Sequence, residues 1–468
     1  MYEIEGTECV PVTHPALQSK YHASSFADER AYRRMLLASV DGAAQFYFSY
    51  GYCLAASLGD NLRGVPEGEG VYDSRFVWND YLTSALREQS AELRRWTVPV
   101  VHGSVQQRAL SCYGRDITVT LVARRSRLFA GTRFLKRGIN GDGHCANDVE
   151  IEQIVDTGRN ARGLPDKVAS FVQLRASVPL FWGHDSFMPR ANIVLQSCDP
   201  LFVATQRHFA DLRARHGGPV TALSLVKQRG AERAPRECVL GEEYERAVQL
   251  VNRALPSAAD RVHYLAYDFS SQAKALGASL VLQDLSAFLG GGPSEGFLLA
   301  RREGRASSAY AITRRQSGVT RTNCVDCIDR SNVAQFVKGL AVLGPQLASM
   351  GVVEAGAALG LESDLSRALM GLYRDMGDHL AIQYGGSEAH AGVLDKHSGG
   401  SSAAVQVRGP RWPRRPFPHT PRLAPHPPPP PPPTLQPLPP PPRSTCRSSR
   451  RSSGPTPTRW WTPSVRTP

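Results

Sequence analysis

The chain has 468 residues, 41% of them apolar, which allows two or three domains with sizeable cores and is ordinary for a globular protein. Its net charge of +13 invites a nucleic-acid partner, but residues 401–468 hold 11 arginines and no lysine or acidic residue, leaving +2 on the other 400; nucleic acid is therefore not implied. Nine cysteines with one close pair, Cys324 and Cys327, exclude a small disulfide scaffold, and no window of about 18 residues is free of charges and helix breakers, so no membrane span is expected.

The opening MYEIEGTECVPVTHP lacks the basic start and apolar run of a signal peptide, and a reduced, cytosolic chain is expected. Asp116 to Val122 (DITVTLV) alternates apolar and polar residues as a half-buried strand does. Asp156 to Lys167 (DTGRNARGLPDK) has the glycines and proline of a linker, which sets a boundary between an N-terminal and a larger second subdomain. Ser170 to Trp182, Val220 to Lys227 and Val262 to Phe269 read as further strands. Between the last two, Glu242 to Leu255 reads as a helix, with Tyr244, Ala247, Val248 and Val251 on one face. Strands and helices interleave in this way through the body, which predicts an α/β (α+β) fold rather than a repeat array. The expected segments are 1–158, 159–398 and a tail, 399–468.

Residues 401–468 carry 22 of the 35 prolines, including the run Pro427 to Pro433. Such a composition buries too little apolar surface to offset its ordering entropy, so disorder with polyproline II stretches is expected. Within it PLPPPPR, ending at Arg443, suits an SH3-type groove, with a plain spacer as the alternative.

The chemistry is concentrated in GVTRTNCVDCIDRSNVAQFVKGL, Gly318 to Leu340. Cys324 and Arg330 are separated by five residues, a spacing that nine cysteines and 48 arginines produce about once by chance. Context decides. Val333, Phe336, Val337, Leu340 and Leu343 follow a helical rhythm with Ser331 and Asn332 at its polar start, so the loop amides and a helix N-terminus converge on one anion site. Arg330 offers a planar fork for phosphate oxygens. A thiol beside it loses its proton readily and becomes a nucleophile. Loop residues Val325, Cys327, Ile328, Asp329 and Ser331 complete the expected phosphate cradle. Two carboxylates lie in it: Asp326 is favoured for acid/base work, and Asp329 for anchoring its neighbour Arg330. A zinc half-site and a redox Cys-x-x-Cys pair are weaker readings, since no second Cys/His pair at ligand spacing accompanies Cys324 and Cys327. A structural loop with two buried cysteines is the serious rival, which the polar residues Asn323, Asp326, Asp329 and Asn332 argue against.

The segment RTNCVDCIDRSN, Arg321 to Asn332, resembles the signature of the Sac-domain phosphoinositide phosphatases, where Cys-x5-Arg is followed by Thr or Ser. FAGTRFLKRGINGDGHCANDVEIEQIV (from Phe129), SFVQLRASVPLFW, LSLVKQR (from Leu223) and GDHLAIQYGGS (from Gly377) resemble further family blocks in the same order, so the likeness covers about Met1 to Ser387. FYFSYGY, VWNDYL and VTLVARRS look closest to the branch that removes the 5-phosphate of phosphatidylinositol 3,5-bisphosphate. The resemblance implies an N-terminal Sac subdomain, expected to be incomplete here, and a mixed-sheet catalytic subdomain. It implies Cys324 as nucleophile through a phosphocysteine intermediate, Arg330 as phosphate-binding arginine and Asp326 as loop aspartate. Lys227 and Arg229 match basic positions placed to contact phosphates, and Arg133, Lys136 and Arg137 are further candidates. No cofactor is required and no metal site is implied, with Mg²⁺ an open option. The substrate would be a phosphoinositide in an endosomal or vacuolar membrane, reached from outside the bilayer. A scaffold protein and an opposing lipid kinase are the expected partners, although the Pro/Arg tail replaces the C-terminal region that helps bind them. The alternatives are a catalytically weak scaffold subunit and a Cys-x5-Arg phosphatase acting on phosphoprotein.

Overall fold

The computed structural model describes residues 2–3, 45–63, 73–94, 96–133, 135–159, 164–185, 192–197, 199–228, 237–257, 260–290, 295–304, 307–356 and 359–389. Arg229 and the whole Pro/Arg tail, with its expected disorder and SH3-type motif, lie outside the described residues.

Two short strands, β1 (Tyr2–Glu3) and β2 (Phe46–Phe48), lead into an antiparallel meander: β3 (Val101–Cys112), β4 (Arg115–Arg125), β5 (Val149–Arg159) and β6 (Pro165–Arg175). Short helices α1 (Leu58–Arg63), α2 (Asp80–Gln89) and α3 (Ala91–Arg94) fill the connection before β3. β4 contains the alternating segment read from Asp116, and Ile117, Val119 and Leu121 are buried on one face of it. The described parts of the segment Asp156 to Lys167 are mostly strand rather than linker. Its ends belong to β5 and β6, with Asp156 opposite Val168 and Thr157 opposite Lys167. The expected division at 158/159 therefore falls inside a hairpin of the central sheet.

The expected strand Ser170 to Trp182 is two elements. β6 stops at Arg175, and Trp182 opens a separate hairpin, β7 (Trp182–Asp185) with β8 (Asn192–Leu195). Pro179 lies in the break, where a residue without an N–H cannot serve a sheet ladder. Beyond β8 come α4 (Val203–His216), β9 (Val220–Ser224), α5 (Glu237–Arg253), β10 (Val262–Ala266) and α6 (Phe269–Phe288). A second hairpin, β11 (Leu298–Arg302) and β12 (Tyr310–Arg314), precedes β13 (Val319–Asn323), which leads to α7 (Asp329–Met350) and α8 (Asp364–Gly385). The helix read from Glu242 is α5, and the four residues placed on its apolar face are all buried.

The free edge of β6 is shared. Its first half pairs antiparallel with β11, from Lys167 to Ser170, and its last two residues pair parallel with β13. β13 lies parallel between β6 and β9, and β10 closes that end of the sheet. The result is the mixed α/β sheet expected from the interleaved pattern. Residues 169 and 171 of β6 join Ile151, Val155 and the apolar faces of α6, α7 and α8 in one core, while Leu174, Val220, Ala222 and Val319 join α4 and α5 in a second. This follows from the two-residue period of a strand, which sends successive side chains to opposite faces. A buried Phe or Leu in such a core contributes about 1.5–3 kcal/mol.

α7 is buried along most of its length, including Val333, Phe336, Val337, Leu340 and Leu343. Its approach to β5 and α8 is close enough that a methyl on Gly339 would meet the Tyr373 hydroxyl oxygen at 2.5 Å. Packing on both sides thus fixes where the N-terminus of α7 points.

Candidate active site

Three parallel strands, β13, β9 and β10, end on the same side of the sheet, where open α/β sheets bind their ligands. Cys324 is the first residue after β13, and five residues later the chain is already in α7. The helix starts at Asp329, two residues before the expected polar start, so Arg330 and Ser331 lie in its first turn.

The turn between strand and helix depends on Cys327, whose φ of 53° is left-handed. That geometry points the Cys327 amide at Cys324 Sγ, 2.9 Å away. The Cys327 thiol donates to the carbonyls of Ala176, at 2.8 Å, and Cys324, at 3.3 Å. Val325 packs among α4 and α5 side chains, and Ile328 against Ala381 and Tyr384, so both ends of the loop are pinned by apolar contacts. Cys324 itself is 1% exposed.

Burial alone would push the Cys324 thiol up. Hydrogen bonding from Cys327 and the charge of Arg330 outweigh it, and the Ser331 hydroxyl adds to them, while Asp326 opposes. The net effect brings the thiol down to about 6. Ser331 Oγ makes no hydrogen bond among the described residues, so it acts on the sulfur as a nearby dipole. Cys327 goes the other way: burial and the neighbouring Cys324 hold it well above the usual cysteine range. Cys145 is a useful contrast. It too lies beside an arginine, with Arg321 Nη2 at 3.6 Å, yet burial pushes it up to about 12.

Arg330 is held by a carboxylate from another element, Glu237 at the start of α5. Its Nη1 donates to Glu237 Oε2 at 2.7 Å and to the Leu225 carbonyl at 3.1 Å, and Nη2 reaches Glu237 Oε1 at 3.4 Å. Lys227 sits at the same carboxylate, its amide donating to Glu237 Oε2 at 3.1 Å and its Nζ 4.0 Å from Oε1. The loop cation and the expected basic residue of β9's end are therefore brought together.

Of the other basic candidates, Arg137 touches the loop. Its Nη1 donates to the Val325 carbonyl at 2.9 Å and to Asp326 Oδ1, and its guanidinium stacks on Trp182 and Tyr384. Arg133 and Lys136 flank it, joined to Tyr384 through backbone hydrogen bonds, and Lys136 Nζ lies over the Phe129 ring. Asp326 is thus ion-paired, with 39% of its side chain exposed.

Sequence reasoning missed two residues. One is Glu237, which is 93 positions before Arg330 and carries no local signal. The other is Arg175, at the end of β6, fully buried beneath the loop. Its Nη1 donates to Asn332 Oδ1 at 3.2 Å, and its Nε and Nη2 have no hydrogen-bond partner among the described residues. Burial lowers it to about 10, opposed by the charges of Cys327 and Cys324. The one local signal for it is a lone charge inside the apolar run SFVQLRASVPLFW. Among the described residues, no group of three or more His, Cys, Asp or Glu side chains is placed to hold a metal ion.

The elements so arranged define a class: a mixed α/β domain in which a central parallel strand and the following helix bring an acidified thiol and an arginine to one loop. Comparison with known proteins gives the family of the chain. The SacI homology domain matches residues 1–274, and the chain belongs to that family. It is 38% identical over 472 residues to phosphatidylinositol-3-phosphatase SAC1 of Arabidopsis thaliana, covering 87% of this chain and 50% of that protein. It is 38% identical over 359 residues to the polyphosphoinositide phosphatase of Schizosaccharomyces pombe, covering 74% and 42%. Phosphatidylinositol-3-phosphatase SAC1 of Saccharomyces cerevisiae is 30% identical over 386 residues, covering 80% and 59%. The chain spans about half the length of the curated relatives it matches.

Proposed function

We propose that this chain hydrolyses a phosphate monoester of an inositol phospholipid. The observation that carries the reading is the Cys324 thiol, brought down to about 6 next to Arg330 at the head of α7. A thiolate attacks phosphorus, an S–P bond forms, and the P–O bond to the inositol ring breaks. The departing oxygen takes a proton from a carboxylic acid. Water then attacks phosphorus, the S–P bond breaks, and inorganic phosphate leaves with the thiolate restored. Arg330 and the loop amides neutralise the oxygens on which charge accumulates. Val325, Cys327, Ile328, Asp329 and Ser331 shape that cradle, and Lys227 stands at its edge beside Arg330. Asp326, ion-paired with Arg137 and partly exposed, is the loop carboxylate proposed for proton transfer.

The substrate first proposed is phosphatidylinositol 3,5-bisphosphate, losing its 5-phosphate, in an endosomal or vacuolar membrane. A second reading, removal of a 3-phosphate, is favoured by the names of the relatives in Arabidopsis and Saccharomyces. Among the described residues no helix is long and apolar enough to cross a membrane. The substrate would then be met at the bilayer surface, where each arginine of the tail adds about 1 kcal/mol of attraction to anionic lipid. Assembly with a scaffold and a lipid kinase, and a dependence on Mg²⁺, remain proposals drawn from the resemblance.

The test is phosphate release from vesicles carrying each phosphoinositide in turn, comparing the parent chain with Cys324→Ser. Release that vanishes in the variant supports the reading, and the position of the phosphate lost decides between the two substrates. A folded parent chain that releases nothing from any lipid overturns it in favour of a scaffold.

A further inference from the structure

A guanidinium carries five N–H donors, two on each terminal nitrogen and one on Nε. In Arg330 the accounting is nearly complete. Both Nη1 donors are taken, one by Glu237 Oε2 at 2.7 Å and the other by the Leu225 carbonyl at 3.1 Å. One Nη2 donor faces Glu237 Oε1 at 3.4 Å. What is left, among the described residues, is the Nε–H and the second Nη2–H, which lie along one edge and run parallel. A parallel pair of this kind is what binds two oxygens of a phosphate.

Glu237 is built to enforce this choice of edge. It is the first residue of α5, with 15% of its side chain exposed, and Arg330 is similarly enclosed at 18%. The same carboxylate accepts from the Lys227 amide at 3.1 Å, which ties it to the end of β9. Lys227 Nζ stands 4.0 Å from its other oxygen with 47% of the side chain exposed, so this ammonium remains open to a second anion.

We propose that Glu237 is the positioning residue of the phosphate site. It occupies the end of the Arg330 guanidinium, turns the Nε/Nη2 edge toward the substrate phosphoryl group, and holds Lys227 beside it. The proposal rests on the reading of Arg330 as the phosphate clamp and adds to it the group that sets the arginine's orientation. Glu237 acts through Arg330 and does not touch the reacting atoms.

The experiment uses the full chain and inorganic phosphate as the probe, and measures how phosphate protects Cys324 from iodoacetamide. Glu237→Ala frees the guanidinium to rotate, and the phosphate concentration needed for half-protection rises about tenfold to a hundredfold, the range expected when a charge-assisted hydrogen-bond pair is lost. The pH midpoint of Cys324 alkylation moves upward as well, because the arginine is no longer held near the sulfur; a purely structural role would leave that midpoint in place. Glu237→Gln keeps one accepting oxygen and falls between Glu237→Ala and the parent. In an Arg330→Ala background, Glu237→Ala adds less than about twofold, since two residues acting as a unit are not additive.

Half-protection by phosphate within about twofold of the parent in Glu237→Ala overturns the proposal, as do losses that multiply in the double variant. If Glu237→Ala fails to fold, Glu237→Gln decides: unchanged protection overturns the proposal, and weakened protection with a raised midpoint supports it. A folded parent chain that phosphate does not protect overturns the anion site itself and this proposal with it. Protection of the parent that survives loss of Glu237 overturns only the proposal.

Discussion

The backbone amide of Cys327 donates to Cys324 Sγ at 2.9 Å, while the Cys327 thiol turns away to the Ala176 carbonyl. One residue therefore supplies a fixed donor to the sulfur and itself stays protonated. Cys324 alkylation should follow a single titration with its midpoint at about 6, slow below it, where the thiol is protonated, and level above it. Phosphate release should rise over the same range. A midpoint in the ordinary cysteine range for the parent chain removes the electrostatic basis of the mechanism.

Arg137 joins the Val325 carbonyl to the Asp326 carboxylate from outside the loop. Arg137→Ala should lower the rate of phosphate release by about tenfold to a hundredfold, the scale of a displacement of about 1 Å in a positioned group. Arg137→Lys keeps the charge without the fork and should recover little. Steady-state rates on vesicles check this, and an Arg137→Ala rate equal to that of the parent rejects it.

Glu152 is fully buried and accepts hydrogen bonds from the Leu58 amide at 2.8 Å, the Ser170 hydroxyl and Arg124. Arg124 is equally buried and also donates to Glu150 and to the carbonyls of Leu54 and Ala56. Glu152→Ala leaves a buried guanidinium short of its main counter-charge, and urea unfolding should show a loss of about 3–5 kcal/mol. A loss below about 1 kcal/mol, the scale of an exposed pair, contradicts the network's importance.

His102, His208 and His216 are all held below the usual histidine range, in each case first by burial and then by nearby arginines. His102 and His216 are pushed down to about 3. All three are neutral in the folded chain at pH 7, and unfolding lets each take up a proton below about pH 6.5. Stability is therefore fully present above that pH and falls as the pH drops toward 3, by about 1.4 kcal/mol per pH unit for each histidine. Melting temperatures measured from pH 7.5 to 4 check the sign. Replacing His216 by Gln should flatten the slope.

Much of the framework was legible because it depends on local periodicity. The alternation in Asp116 to Val122 and the apolar rhythm of α5 and α7 record which face each element buries. Composition at turns was ambiguous: Gly158 and Pro165 belong to a hairpin here, and the same residue types serve a linker. In the run from Ser170 the end of the strand was hidden because apolar residues continue past Arg175 into the connection before β7. At the site, Cys324 and Arg330 stood out from their spacing together with the helical rhythm and polar start that follow it. The partners that aim them were not. Glu237 and Arg175 reach the loop from two other elements, and no pattern along the chain records which side chains the packing of a sheet will bring together.

The strand carrying Cys324 enters a slot between β6 and β9, both of which precede it by long stretches of chain. Until that slot is filled, the sulfur has neither its amide donor nor its arginine and is an ordinary cysteine. Reactivity toward a thiol reagent at mildly acidic pH is then a report on completed folding, readable during refolding or synthesis without any substrate. A chain in which the sheet has not closed would present a thiol that is chemically silent under the same conditions.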